Sequence, residues 1–150
     1  MYYIHIKALP KIVEGLNMIK ILIGGKGSGK TKTLIELTNN AAETTKGSVV
    51  CIEKGDKLKH EITYKARLID TDYYMITDAE ALCGFIAGIL ASNSDITDIF
   101  VDSALKIAAN DVAAFEAILP RLAKLAEGIN LVMSASIAVE DCPESIKAFA

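Results

Sequence analysis

The sequence lacks an excess of positive charge, a long apolar run, an even set of cysteines and all but two arginines. A net charge of −3 argues against a general polyanion binder, which needs a strongly basic face, so nucleic acid is not an expected partner. The longest apolar run, Ala81 to Ala91, is well short of the roughly 20 residues of a membrane-spanning helix, so no span is expected. The N-terminus has no charged-then-apolar secretory layout. Cys51, Cys83 and Cys142 are odd in number and far apart, which suggests neither a disulfide framework nor a zinc site. They read as idle or buried thiols of a reducing, cytoplasmic compartment. His5 and His60 have no metal-ligand companions, and repeats, linkers and low-complexity tracts are absent. A trans-acting arginine finger would have to be Arg67 or Arg121, or come from a partner; surface charge is the plainer reading of each.

What is present is a 150-residue chain, 51% hydrophobic, with a mean hydropathy of +0.33. That length suits one domain able to bury about two-thirds of its unfolded surface. "MIKILIGG" from Met18 reads as a buried strand ending in a glycine turn. Leu34, Leu37 and Ala41 then repeat at helical spacing, with Gly47 as a stop. "SVVCIE" (48–53), "DIFVD" (98–102) and "INLVMSAS" (129–136) read as further strands. Asp78 caps a helix to about Ala91. Asn110 or Asp111 caps another to Gly128, which Pro120 should kink, and Pro143 opens a last short helix. Residues 54–77 form a polar excursion with a short strand or hairpin, Ile62, Tyr64, Ala66 and Leu68 being in phase. Strands alternating with helices predict an α/β three-layer sandwich around a mainly parallel sheet.

The N-terminal boundary is read at Met18. Glu14-Gly15 can be encoded by GAAGGA, which resembles a ribosome-binding site two codons before Met18. Residues 1–17 are thus an N-terminal extension, either an upstream start or a poorly packed arm, and 18–150 the nucleotide-binding domain. The other reading makes "YYIHI" an edge strand.

Gly24, Gly29, Lys30 and Thr31 satisfy G-x-x-x-x-G-K-[ST], with an apolar strand before and a helix after. Glycines let several backbone N–H groups converge on phosphate oxygens, and the helix turns its positive end to the same anion. Gly24, Gly25, Lys26, Gly27, Ser28, Gly29, Lys30 and Thr31 are therefore expected to bind nucleotide. Lys30 would meet the β- and γ-phosphates, and the Thr31 hydroxyl Mg²⁺. Partition-type ATPases carry an extra lysine at the place of Gly25, so Lys26 does not mark that subclass.

Phosphoryl chemistry also needs a carboxylate for the metal at a strand end, which Asp102 supplies. Ser103 follows it where many P-loop ATPases place a water-activating Glu. Glu53, at the end of "VVCIE", is the replacement candidate, since strand C-termini of a parallel sheet share one edge. A surface pairing of Glu53 with Lys54 or Lys57 is the alternative. Ser134 or Ser136 would bond the γ-phosphate or attacking water, or simply form the turn. "EKGD" lacks the Asn of a guanine-reading motif and comes early, so ATP is favoured over GTP.

The set "GGKGSGKT", "VVCIE", "IFVDS" and "VMSAS" resembles the core of RecA/KaiC-like P-loop ATPases. The whole chain is also similar to short bacterial P-loop proteins that carry the label twitching-motility ATPase. The RecA/KaiC resemblance implies a five-strand sheet, with "NLVMS" between the P-loop and "IFVD" strands and "VVCIE" beyond "IFVD". In that group Asp-Ser ends the second acidic strand and the catalytic Glu comes from the strand after the first helix, which implies Glu53. With the loop and strand-end readings above, the expected cofactors are ATP and Mg²⁺ and the expected catalytic set is Glu53, Asp102 and Lys30. Type II thymidine kinases share the loop but carry Asp-Glu and a cysteine zinc site, both absent here. The expectation is a slow ATPase acting with an unknown protein partner; a small nucleoside or nucleotide kinase, or a non-hydrolysing ATP-gated module, remains open. The basic stretch Lys54, Lys57, Lys59, His60, Lys65 and Arg67 is either a solvated face or a site for nucleic acid or a phosphorylated partner. "CGFIAGILA", with Gly84 and Gly88 four apart, is either a helix packed on the sheet or an interface in a homo-oligomer.

Overall fold

A computed structural model of the chain describes residues 18–150, so the readings of residues 1–17 lie outside the described part. Strand β1 (Met18–Gly24) leads through the glycine loop into helix α1 (Lys30–Thr44) and strand β2 (Ser48–Glu53). Strand β3 (Ala66–Asp70) and helix α2 (Ala79–Ser92) follow, then strand β4 (Ile96–Val101), the short α3 (Ala104–Ile107) and α4 (Val112–Leu125). Strand β5 (Asn130–Ser136) and the short α5 (Glu144–Lys147) complete the chain. Among the described residues the five strands form one parallel sheet in the order β1-β5-β4-β2-β3. The expected positions of "NLVMS" and "VVCIE" in that order are both met.

Period-two alternation divides the sheet between two apolar layers. Ile19, Ile21, Ile23, Val50, Ile52, Ile99, Val101, Leu131 and Met133 pack with α2, α3, α4 and α5 on one face. Leu22, Val49, Cys51, Phe100 and Val132 pack with Leu34 of α1 on the other. The result is the expected three-layer α/β sandwich. Asp98, directly opposite Asn130 in the β4–β5 register, accepts from the Asn130 amide at 2.9 Å, and this buried polar pair locks the two strands against slippage. The outer edge of β1 is not left bare, because Ile21 N–H donates to the Phe149 carbonyl at 2.9 Å.

Caps Asp78 and Asp111 stand where the sequence predicts them, accepting from Ala81 and Ala114 N–H. Helix α4 ends at Leu125, short of Gly128, and runs through Pro120. The excursion is not a hairpin. Leu58–Ile62 forms one helical turn, with Glu61 and Ile62 N–H both on the Leu58 carbonyl, and β3 pairs parallel to β2. A parallel return needs about a dozen connecting residues, which 54–65 provides without a full helix. Tyr64, read as in phase with Ile62 and Ala66, is 91% exposed, because Ile62 belongs to the helical turn and the alternation starts only at Ala66. Cys51, Cys83 and Cys142 are buried free thiols. On α2, Leu82, Cys83 and Ile86 are buried against the core, whereas Gly84 and Gly88 lie on the exposed side.

Candidate functional site

All strands point their C-termini to one edge, and alternation decides which end residues face α1. Asp102 follows Phe100 and Ser134 follows Val132, so both share the α1 face, where the glycine loop lies; Glu53 follows Cys51 and does the same. The loop turns from β1 into α1 through Gly27 (φ 82°) and Gly29 (φ 90°), left-handed positions that suit glycine. At that N-terminus the first backbone N–H groups of α1 have no partner within the helix, and the helix dipole adds positive potential.

Lys30 is 6% exposed, and its ammonium donates to the Gly25 carbonyl (2.8 Å) and the Ser28 hydroxyl (3.2 Å). Burial lowers its pKa and the Asp102 carboxylate opposes that. An ammonium has three donors, so one proton stays free for an anion in the loop. Thr31 donates its hydroxyl to Oδ1 of Asp102 at 3.0 Å. Ser134 donates to the same oxygen at 3.0 Å and accepts from Ser103 N–H at 2.7 Å, while Ser103 donates its hydroxyl to Oδ2 at 3.3 Å. Those bonds hold Ser103 in a left-handed conformation (φ 55°) that a non-glycine residue adopts only when its surroundings enforce it. The Asp102 N–H is fixed to the Ile52 carbonyl at 2.8 Å.

The donor set fits Mg²⁺. A hydroxyl and a carboxylate oxygen are hard ligands, and neighbouring oxygens in an octahedron with bonds of about 2.1 Å stand about 3.0 Å apart, the separation Thr31 and Asp102 show. Among the described residues no cluster of three His, Cys, Asp or Glu side chains could hold a metal alone, so the remaining ligands would be phosphate and water.

A cleft of about 860 Å³ opens above this edge, lined on one side by Lys26 to Lys32 and on the other by Lys57, Leu58, Glu61, Asp102, Ser103, Lys106, Asn110 and Ser136. Five lysines face two carboxylates there, which makes the cleft strongly attractive to an anion although the whole chain is acidic. Lys57, Lys106 and Asn110 escaped the sequence reading as site residues; Lys57 stood there only within a basic stretch and Asn110 only as a candidate helix cap, and nothing in the local pattern marked Lys106.

Glu53 is placed differently from expectation. It ends β2 on the correct face, but it is 2% exposed and both carboxylate oxygens accept from Leu58 N–H, at 3.1 and 3.3 Å. Burial raises its pKa, partly countered by the Leu58 and Lys57 amides. It does not line the cleft. Ser134 is likewise buried beneath Asp102, and Ser136 is the strand-end serine that reaches the cleft. Of the basic stretch, Lys54 pairs with Asp72, Lys59 with Asp56 and Lys65 with Glu43.

Fold and loop together define a three-layer α/β sandwich that carries a G-x-x-x-x-G-K-T loop between β1 and α1. The chain matches no family model and no curated protein. Among solved structures it is similar to the pCW3 conjugation coupling protein TcpA, in a monomer form with ATPγS, at a TM-score of 0.47 and 15% identity. The match covers 98% of this chain and 56% of that one, so this chain spans little more than half of its length. No helix among the described residues is long and apolar enough to cross a membrane.

Proposed function

We propose that the chain binds Mg-ATP at the glycine loop and hydrolyses it slowly, in the service of a protein partner. The observation that carries this reading is the convergence of Lys30, Thr31 and Asp102 at one lysine-rich cleft: a cation inside the loop and a hydroxyl–carboxylate pair 3.0 Å apart. In this reading the loop N–H groups and Lys30 bind and orient the phosphates. Thr31 and Asp102 would hold Mg²⁺, which when bound supplies Lewis-acid neutralisation of the β- and γ-oxygens. Ser134 and Ser103 fix the Asp102 carboxylate so that its geometry is set before ligand arrives.

A second reading, the non-hydrolysing ATP-gated module, is favoured by one observation: the Glu53 carboxylate is bonded to Leu58 N–H rather than open to the cleft. Thermal shift with ATP, ADP, GTP and Mg²⁺, followed by a phosphate-release assay with and without nucleoside acceptors, separates the readings. ATP-dependent stabilisation with acceptor-free phosphate release supports the ATPase, and stabilisation without release the module. Acceptor-dependent ADP formation would make it a kinase. No stabilisation by any nucleotide overturns the assignment.

A further inference from the structure

The segment 54–65 is held as a fixed ledge over the cleft. At its start the Glu53 carboxylate accepts from Leu58 N–H. In its middle Leu58 and Ile62 sink into the apolar layer beside Leu34 of α1. At its far end Asn39 of α1 bonds it twice, donating to the Glu61 carbonyl (2.9 Å) and accepting from Thr63 N–H (2.9 Å). One helical turn with Leu58 and Ile62 in the apolar layer brings Lys57 and Glu61, four residues apart, to the cleft, which Leu58 also lines.

Among the lysines of the ledge, Lys54, Lys59 and Lys65 are each matched to an acid, while Lys57 has no acidic partner among the described residues. The ledge leaves β2 beside Asp102, whose N–H bonds Ile52. A triphosphate seated with its β- and γ-groups at Lys30 and Thr31 therefore has its terminal phosphate as the group nearest the Asp102 side of the cleft.

We propose that Lys57 is the residue by which the cleft distinguishes a nucleoside triphosphate from a diphosphate, and that Glu53 is the positioning residue that holds the Lys57 turn in place. This rests on the Mg-ATP reading above. Lys57 contributes a charge-assisted contact to the γ-phosphate from within the same chain, an interaction that a diphosphate cannot make. Glu53 acts through Leu58 N–H, one residue along from Lys57.

The test is titration calorimetry of the full chain with Mg-ATPγS and Mg-ADP. Lys57→Ala should weaken ATPγS by about tenfold, the scale of one charged hydrogen bond, and leave ADP within about twofold. Lys57→Arg should restore most of the preference, and Lys59→Ala, outside the cleft, should change neither ligand. Glu53→Ala should lose the triphosphate preference as Lys57→Ala does, and Glu53→Gln, which keeps an acceptor for Leu58 N–H, should restore it. If Glu53→Ala does not fold, Asn39→Ala loosens the other end of the ledge and should narrow the same ratio. Equal losses for both nucleotides, or an unchanged ratio in Lys57→Ala, overturn the proposal while leaving the Mg-ATP reading intact. A wild type that binds neither nucleotide overturns the Mg-ATP reading itself and this proposal with it.

Discussion

The hydroxyl of Thr31 lies 3.0 Å from Oδ1 of Asp102, across 71 residues of sequence. The contact joins the start of α1 to the end of β4 over the intervening β5, so it depends on the whole strand order rather than on either motif alone. The same Asp102 oxygen receives Ser134, so two hydroxyls hold it from different elements.

That arrangement makes metal dependence the direct readout. With Asp102→Asn or Thr31→Ala, the gain in ATP affinity on adding Mg²⁺ should shrink by about 2 kcal/mol, some thirtyfold. Affinity in the presence of EDTA should change far less. Titrations of wild type and both variants with and without Mg²⁺ check this; an undiminished Mg²⁺ effect in both removes the pair from the metal site.

Lys30→Ala addresses the loop itself. At a hundredfold excess over its dissociation constant, ATP should stabilise the wild type by about 2.7 kcal/mol. The variant loses the ammonium that bonds Gly25 and Ser28, and its ATP-induced stabilisation should fall close to zero. Melting curves with and without Mg-ATP measure it, and full stabilisation of the variant would discard the loop as the phosphate site.

What the sequence makes legible here follows the range of each interaction. Asp102 is readable because an apolar run ends on it, and alternation then places it on the α1 face. The β1-β5-β4-β2 order followed from a resemblance and is met by the pairing. Glu53 shares the strand-end pattern of Asp102, yet its carboxylate is decided by where Leu58 N–H lands after the chain folds back, which no periodicity encodes. Lys57 fails to show for a related reason. One turn anchored by Leu58 and Ile62 is too short for a helical period to emerge, so its lysines look alike until the acids beside the other three are seen.

Gly47 tests the packing of the scaffold at the sheet edge opposite the site. A Cβ there would collide with the Asp95 carbonyl oxygen and come within 2.7 Å of Thr97 Cγ2. Backbone cannot swing aside as a side chain does, and the neighbouring Ser48 N–H already bonds that Asp95 carbonyl at 2.8 Å. Gly47→Ala should therefore cost about 1–3 kcal/mol, the range for forcing a methyl into a packed site. Urea unfolding measures the loss; a variant as stable as wild type would mean that the α1–β2 turn shifts freely.

Glu53 gives the last prediction, in the pH dependence of stability. Burial holds its proton more tightly in the folded chain than in the unfolded one, where a glutamate titrates near about pH 4.3. Its contribution is thus most favourable below that pH, where both states carry the proton. As pH rises the unfolded chain ionises first, and stability declines until the folded carboxyl ionises too. Glu53→Gln removes this titration but keeps an oxygen able to accept from Leu58 N–H. Relative to wild type, the variant should therefore gain stability as pH is raised from about 4 to 8, and the gain should level off once the folded carboxyl has ionised. Urea midpoints of both proteins across that range check the sign. A difference that is flat with pH would place the Glu53 carboxylate in water, and one that falls with pH would mean the Leu58 and Lys57 amides outweigh burial and hold it ionised.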